Sequence, residues 1–135
     1  MNKVTFQANR SELSKIHKAI EEEAGKFNYS PKILYQAHII TEEIFINISS
    51  YAYKPDQSNQ NVTLCLEFSP NELIITFEDN GTPYNPLKNK DPDISLPVEQ
   101  RPVGGLGIFM VKHIADSIDY KYDNGKNILK IKKKA

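Results

Sequence analysis

The sequence predicts an α/β two-layer sandwich, in which a mixed, mostly antiparallel sheet carries three helices on one face. Two runs with helical spacing of apolar residues come first, and two stretches that alternate apolar and polar residues follow. A third apolar helical run and two more alternating stretches complete the pattern. At 135 residues the chain is long enough for a real core, so we expect residues 1–135 to form a single domain.

Two helices are predicted in the first part of the chain. The first begins at Asn9 or Ser11, since either side chain can cap a helix, and it ends near Ala24. The second begins at Ser30-Pro31, a strong start signal, and runs to about Tyr51. Apolar residues cover most of the circumference of this second helix, which predicts that it is largely buried.

Five short stretches are predicted to be strands. They are a weakly alternating edge strand at 4–8 and two antiparallel hairpins, 62–68 with 73–77 and 118–122 with 127–131. Asp123-Asn124-Gly125 is a typical hairpin turn between the last two strands. The first of these hairpins is expected to bury one face.

Composition excludes several classes of protein. Lysine plus arginine and aspartate plus glutamate both number 17, so no overall field attracts nucleic acid, and we expect no nucleic-acid partner. Cys65 is the only cysteine, which excludes an internal disulfide, and no cysteine–histidine spacing indicates a metal site. Without a signal peptide or an apolar run that could span a membrane, the chain is expected to be soluble and cytoplasmic.

Glu43 and Asn47 interrupt the apolar surface of the second helix. Residues four apart lie on one helical face, and burying two polar groups there costs about 1–3 kcal/mol each unless they find partners. The two residues are either a structural pair or a functional one. In the functional case the carboxylate can act as a general base, and the carboxamide oxygen can hold Mg²⁺.

Asp79 directly follows an apolar strand and is followed by Asn80-Gly81. Asp-Asn-Gly is a common turn, which is one interpretation. The other is a nucleotide site, because a buried carboxylate suits the exocyclic amine of adenine, which needs an acceptor. Gly81 would allow the backbone to come close to a flat base.

Three glycines, Gly104, Gly105 and Gly107, precede an apolar helix that is expected to end near Asp116. A glycine loop that opens a helix presents free N–H groups to phosphate, although such a loop is also a common tight turn. Residues 80–102 contain five prolines and no regular pattern. An irregular segment of this length in a small domain is either a functional lid or disordered.

Together these clusters resemble the sequence motifs of a known superfamily. Glu43-x-x-x-Asn47, Asp79-x-Gly81-x-Pro83 and Gly104-Gly105-Leu106-Gly107 resemble, in order, the N, G1 and G2 boxes of the GHKL (Bergerat-fold) ATPases. Within that superfamily the chain is similar to the anti-sigma-factor serine kinases, the RsbW-like group. Further matches are Tyr51-Ala52-Tyr53 after the N box and Gly125-x-Asn127-x-Leu129 near the end of the chain.

The resemblance implies a Bergerat ATP-binding fold and a set of site residues. Glu43 would be the catalytic general base, and Asn47 would coordinate Mg²⁺. The residues that would bind ATP are Asn47, Asp79, Gly81, Gly104, Gly105, Leu106 and Gly107. A segment at about 84–102 would be a short ATP lid. Tyr51, where many relatives carry histidine, and Arg101 receive no role.

The resemblance also implies an activity and partners. The protein would be a Mg·ATP-dependent serine kinase and anti-sigma regulatory factor. It would phosphorylate a STAS-domain anti-anti-sigma protein, sequester a sigma factor, and form a homodimer. The alternative is a nucleotide-binding partner-switching module without significant kinase activity.

Overall fold

A computed structural model describes residues 2–51, 60–88 and 106–135. Within these ranges the chain forms three α-helices and five strands, which agrees with the predicted fold class. In chain order they are β1 (Asn2–Gln7), α1 (Leu13–Ala24), α2 (Pro31–Tyr51), β2 (Asn61–Ser69), β3 (Glu72–Asp79), α3 (Leu106–Ile114), β4 (Ser117–Asp123) and β5 (Lys126–Lys134). Short 3₁₀ turns precede α1 and follow β3, at Arg10–Glu12 and Pro86–Lys88.

The described strands form one sheet in the order β1-β2-β3-β5-β4. Each of the four pairings is antiparallel, where the sequence predicts a mostly antiparallel sheet. The last strand, β5, lies between β3 and β4. The last strand is therefore an interior strand of the sheet, one position from the edge.

The core lies between one face of the sheet and the three helices. Leu64, Phe77 and Leu129 are neighbours across β2, β3 and β5, and all three side chains are buried on this face. The helices supply the other half of the core, with the buried residues Ile16, Ile20, Ala37, Ile40, Ile44, Phe45, Ile48, Ile108 and Val111. All the helices therefore cover the same face, as the alternating pattern predicts.

Helix α2 buries residues on more than one side, as its apolar circumference predicts. The hydroxyl of Ser30 accepts a hydrogen bond from the N–H of Ile33 at 3.3 Å, which confirms the predicted helix start. Ile40 and Phe45 are fully buried although they point to different sides of the helix. None of the helices in the described ranges is both long and apolar enough to cross a bilayer.

Two helix ends differ from the prediction. Asn9 caps the 3₁₀ turn, through a 3.0 Å bond from the N–H of Ser11, so α1 proper begins only at Leu13. Helix α3 ends at Ile114 because Asp116 is already bound to β5. The N–H of Asp116 donates to the carbonyl of Lys132, and its carboxylate accepts from the N–H of Lys134.

The turn between β4 and β5 has the predicted form. Asn124 and Gly125 both have positive φ, 52° and 74°. A two-residue turn of this kind matches the twist of the strands that it joins, so it sets their register. Asp123 consequently pairs with Lys126, and Tyr122 pairs with Asn127.

A pair of histidines joins α1 to α2. The Nδ1 atoms of His17 and His38 lie 2.8 Å apart, and Nε2 of His38 lies 2.8 Å from the carboxylate of Glu21. Glu42 on α2 is 4.0 Å from Nε2 of His17. Burial lowers the pKa of His17, and the charge of His38 lowers it further, whereas Glu42 and Glu21 act in the opposite direction.

We predict that this pair makes stability fall in mild acid. Folding lowers the pKa of His17. Below the pKa of an unfolded histidine, about 6.5, the unfolded chain therefore binds more protons than the folded chain does. The contribution of neutral His17 to the free energy of unfolding is therefore complete above about pH 6.5. It is lost as the pH falls through the lower pKa that His17 has in the folded chain. Urea unfolding between about pH 7.5 and 5.5 should show this decline, and His17→Gln should flatten it.

The matched control is His113→Gln, because His113 is exposed on α3 and bonds to the Phe109 carbonyl of its own helix. This variant should keep the pH dependence of the parent chain. An unchanged decline in His17→Gln would show that the histidine pair does not cause it.

Candidate functional site

The predicted polar residues meet in a cleft where the helix layer opens at one end of the sheet. Asn47 from α2 and Asp79 from the end of β3 both line it. The remaining walls are mostly apolar and are formed by Ile44, Ile48, Phe77, Tyr84, Pro86, Tyr120, Asn127 and Leu129. The cleft contains about 360 Å³ of empty space, including the part open to solvent. An apolar cleft with a few polar groups is typical of a small-molecule site.

Asp79 is the buried acid of this cleft, with 6% of its surface exposed. Its Oδ1 atom accepts two hydrogen bonds, from the N–H of Gly81 at 3.0 Å and from Nδ2 of Asn127 at 2.9 Å. Burial raises the pKa of Asp79, and the bonds from Asn127 and Gly81 oppose that shift. Since both of these donors bind Oδ1, Oδ2 is the oxygen that can accept from a ligand.

The same hydrogen bonds show that Asp79-Asn80-Gly81 can be a turn and part of a binding site at once, so the two interpretations of this segment are compatible. The bond from Gly81 to the side chain two residues earlier is that of an Asx turn. Gly81 itself is buried, so its backbone forms part of the inner surface of the loop. The turn therefore orients the carboxylate, and it leaves the second oxygen available for binding.

Glu43 lies against the first turn of α3, at Gly107. A Cβ atom placed on Gly107 would overlap Oε2 of Glu43 and lie 3.0 Å from its Cδ carbon. Only glycine leaves room for the carboxylate in its present position. Burial raises the pKa of Glu43, and the nearby Glu42 carboxylate raises it further. A raised pKa moves a carboxylate towards the range where it is an effective general base.

The structure therefore brings together part of the predicted site. Asn47 lines the cleft of Asp79, and Glu43 lies one helical turn before Asn47 on α2. Leu106 begins α3 next to Gly107. Gly104, Gly105, Arg101 and the predicted lid from residue 89 onwards lie outside the described residues. The first residues of the predicted lid, 84–88, include a 3₁₀ turn.

Asn127 and Tyr120 line the cleft, although sequence reasoning gave neither of them a role. Asn127 stands directly opposite Asp79 in the register of β3 and β5, and Tyr120 lies on the neighbouring strand β4. A signal for Asn127 does exist in the sequence. It occupies the inward-facing position of a strand in which Leu129 and Ile131 are the other inward residues, so it is a polar side chain where an apolar one is expected.

The residues of the cleft fit ATP and Mg²⁺. One buried acceptor between apolar walls suits a base with an amine donor, and the carboxamide oxygen of Asn47 is a ligand type that Mg²⁺ accepts. The described part of the chain contains no group of three or more histidine, cysteine or acidic side chains that could hold a metal ion. Mg²⁺ usually keeps waters and substrate phosphates as ligands, so a single protein oxygen is compatible with it.

Comparison with known families identifies the class of protein. The model of the histidine kinase-like ATPase domain matches residues 6–133, which is nearly the whole chain. The chain therefore belongs to the histidine kinase-like ATPase family.

Individual relatives narrow this class. The chain is 31% identical over 113 residues to the serine-protein kinase RsbW of Bacillus thuringiensis strain Al Hakam, an alignment that covers 81% of this chain and 69% of the relative. It is 30% identical, with the same coverage, to the serine-protein kinase RsbW of Bacillus mycoides strain KBAB4. Within the family, the chain is thus a member of the RsbW-like serine-protein kinase group.

A solved structure, the histidine kinase AdeS of Acinetobacter baumannii, also resembles this chain. It is 17% identical with a TM-score of 0.48, and the match covers 99% of this chain and 68% of that structure.

We predict that Gly107→Ala lowers the rate of phosphoryl transfer without lowering the stability of the fold. Alanine is a better helix former than glycine, and the group that its Cβ would meet is the flexible end of the Glu43 side chain, which can move aside. The variant should therefore unfold at the same or a higher urea concentration, while the Glu43 carboxylate is displaced. Phosphoryl transfer should fall at least about tenfold, since displacement of a catalytic group by ~1 Å can cost more than that.

The control for Gly107→Ala is Gly25→Ala, at the end of α1, where a Cβ meets only backbone oxygens of its own helix. That variant should leave transfer unchanged. Full transfer by Gly107→Ala would mean that the present position of Glu43 is not the active one.

Proposed function

We propose that this protein is a Mg·ATP-dependent serine kinase that phosphorylates a STAS-type anti-anti-sigma protein and sequesters a sigma factor. The observation that supports the proposal most directly is the buried, oriented carboxylate of Asp79 in an apolar cleft shared with Asn47. Membership in the RsbW-like group supports a protein serine as the acceptor. The sigma factor, the STAS-type partner and a homodimer follow from the family resemblance alone.

The proposed roles in binding follow from the chemistry of each group. Oδ2 of Asp79 accepts from the exocyclic amine of adenine, and Gly81 lets the base lie close to the backbone. Asn47 would hold Mg²⁺, which, when bound, neutralises charge on the phosphate oxygens. The backbone N–H groups of the segment 104–107 would bind the phosphates, as free amides at the start of a helix can.

Glu43 is the proposed general base of the transfer. The serine oxygen of the partner forms a bond to the γ-phosphorus, and the bond from that phosphorus to the β–γ bridging oxygen breaks. ADP leaves with the electron pair of that bond, and the serine proton moves to a Glu43 oxygen. The protein forms no covalent bond in such a transfer, so its side chains contribute mainly by their positions. For Glu43, that position is set by the contact with Gly107.

Binding of nucleotide is tested by titration calorimetry of ATP with and without Mg²⁺. Asn47→Ala should weaken Mg²⁺-dependent binding by at least about tenfold, or about 1.4 kcal/mol, because it removes the proposed metal ligand. Asn28→Ala, at an exposed asparagine between α1 and α2, is the control and should bind as the parent does. If the folded parent protein gives no heat with ATP in either condition, the proposed nucleotide site is wrong.

The role of Glu43 is tested by Glu43→Gln. This variant keeps the shape of the side chain but cannot take a proton, so it should retain ATP affinity and lose about 10²- to 10⁴-fold in transfer. Transfer is measured by mass spectrometry of a STAS-domain protein from the same organism after incubation with Mg·ATP. Glu22→Gln, at an exposed glutamate of α1, is the control.

The same assay decides between the kinase and the alternative. If the parent protein binds ATP and its partner but leaves the partner unphosphorylated, the protein is a nucleotide-binding partner-switching module. Undiminished transfer by Glu43→Gln, by contrast, would support the kinase activity and exclude Glu43 as its general base.

A further inference from the structure

Two histidines and two glutamates form a polar cluster between α1 and α2. The Nδ1 atoms of His17 and His38 are 2.8 Å apart, and the ring centres are 4.8 Å apart. Nε2 of His38 lies 2.8 Å from a carboxylate oxygen of Glu21, and Nε2 of His17 lies 4.0 Å from one of Glu42. The four groups thus form a chain of carboxylate, imidazole, imidazole and carboxylate that links the two helices.

The contact between the rings limits the number of protons that the two histidines can hold. An N–H···N hydrogen bond needs a proton on one Nδ1 atom and a bare lone pair on the other. Nε2 of His38 carries a proton, because an ionised carboxylate such as that of Glu21 can only accept. Nε2 of His17 can be bare or protonated without loss of the contact. The closed arrangement therefore holds two or three ring protons and excludes a fourth.

A fourth proton would place an N–H group on each Nδ1 atom, and two donors cannot form a hydrogen bond with each other. Both rings would then be cations in contact, and like charges at short distance repel. Water screens this repulsion incompletely, because only 30% of the His17 side chain and 20% of the His38 side chain are exposed. In the described part of the chain, the carboxylates that act on His17 are Glu42 of α2 and Glu21 of α1. Both lie at the far nitrogens, so neither separates the two Nδ1 atoms.

The same cluster supplies the polar links between the two helices. In every hydrogen bond or ion pair that the structure describes between side chains of α1 and α2, one partner is His17 or His38. The rest of the attachment of α1 is apolar, through the buried residues Ile16 and Ile20. Because Ile16 adjoins His17 in the chain, separation of the rings acts on the turn of α1 that packs against the core.

We propose that the His17–His38 contact is a proton-operated latch that holds the middle of α1 against α2. The latch is closed while the two rings hold three protons or fewer, and a fourth proton opens it, so α1 loosens in mild acid while the sheet stays intact. Burial and the charge of His38 both lower the pKa of His17, which is the direction expected where protonation opposes the closed contact. The inference does not depend on the proposed function, because none of the described residues that line the cleft is on α1.

Hydrogen exchange of backbone amides tests whether α1 opens locally. Protection factors of amides in α1 and in the central strand β3 are measured in the parent protein at pH 7.5 and 5.5, each at several urea concentrations below the unfolding transition. Global unfolding exposes most of the buried surface, so exchange through it depends steeply on urea, whereas exchange through a local opening hardly does. Amides of β3 should show the steep dependence, and amides of α1 should show little.

The expected size of the pH effect follows from the proton count. Opening releases one further histidine site with a pKa of about 6.5, so the opening equilibrium should rise about tenfold between pH 7.5 and 5.5. The protection factors of the α1 amides should therefore fall about tenfold over this range.

Variants of the two histidines make the test specific. In His17→Gln the new amide can still bond to His38 but takes up no proton, so the protection of α1 should change less than about threefold between the two pH values. His38→Gln should behave in the same way, and it replaces His17→Gln if circular dichroism shows that variant unfolded. His113→Gln on α3 is the matched control and should keep the tenfold fall of the parent protein.

Three results would overturn the inference. The first is unchanged α1 protection in the parent protein between pH 7.5 and 5.5, and the second is a tenfold fall that persists in both glutamine variants. The third is α1 exchange at pH 5.5 with the same urea dependence as that of β3, because α1 would then open only with the whole fold. None of these results bears on the proposed nucleotide site, which is tested by the ATP titration.

Discussion

Burial of one carboxylate, that of Asp79, is the constraint on which the candidate site depends. A carboxylate removed from water must be compensated by donors, or it takes up a proton and loses its charge. Here the compensation comes from Gly81 in the following loop and from Asn127 on β5. The carboxylate thereby links β3, the loop that follows it and β5. Asn127 extends these links, because it donates to the Thr82 carbonyl and accepts from the Tyr120 hydroxyl.

That network depends on the position of β5 in the sheet. The strand must enter between β3 and β4, so that Asn127 stands opposite Asp79, and the turn at Asn124 and Gly125 must fix the pairing of β4 with β5. Because side chains alternate across a strand, a register shift of one residue would turn Asn127 to the other face of the sheet. Its place would then be taken by a residue that faces away from the helices in the present structure, so Asp79 would lose the donor that β5 supplies.

Much of this architecture is predictable from the sequence because it is local. Periodicity predicts α2 and both hairpins, and the polar residues Glu43, Asn47 and Asp79 stand out against apolar neighbours. What sequence reasoning could not supply depends on contacts between distant segments. The bond between Asp79 and Asn127 joins residues 48 positions apart, and the approach of Glu43 to Gly107 depends on how α2 packs against α3. The start of α1 was mispredicted for a local reason, since Asn9 caps a 3₁₀ turn before the helix proper.

The two halves of the candidate site are anchored differently, and α2 is the element that they share. The half around Asp79, which we propose to bind the base, rests on the hydrogen-bond ladder of the sheet. The half around Glu43, the proposed general base, rests on a contact between two helices. Asn47 lies on the first half and Glu43 on the second, one turn apart on α2. A rotation of α2 by one residue, about 100°, would displace both side chains at once. The apolar stripe that fixes the rotation of α2 against the sheet therefore also sets the spacing between the proposed nucleotide-base site and the proposed site of phosphoryl transfer.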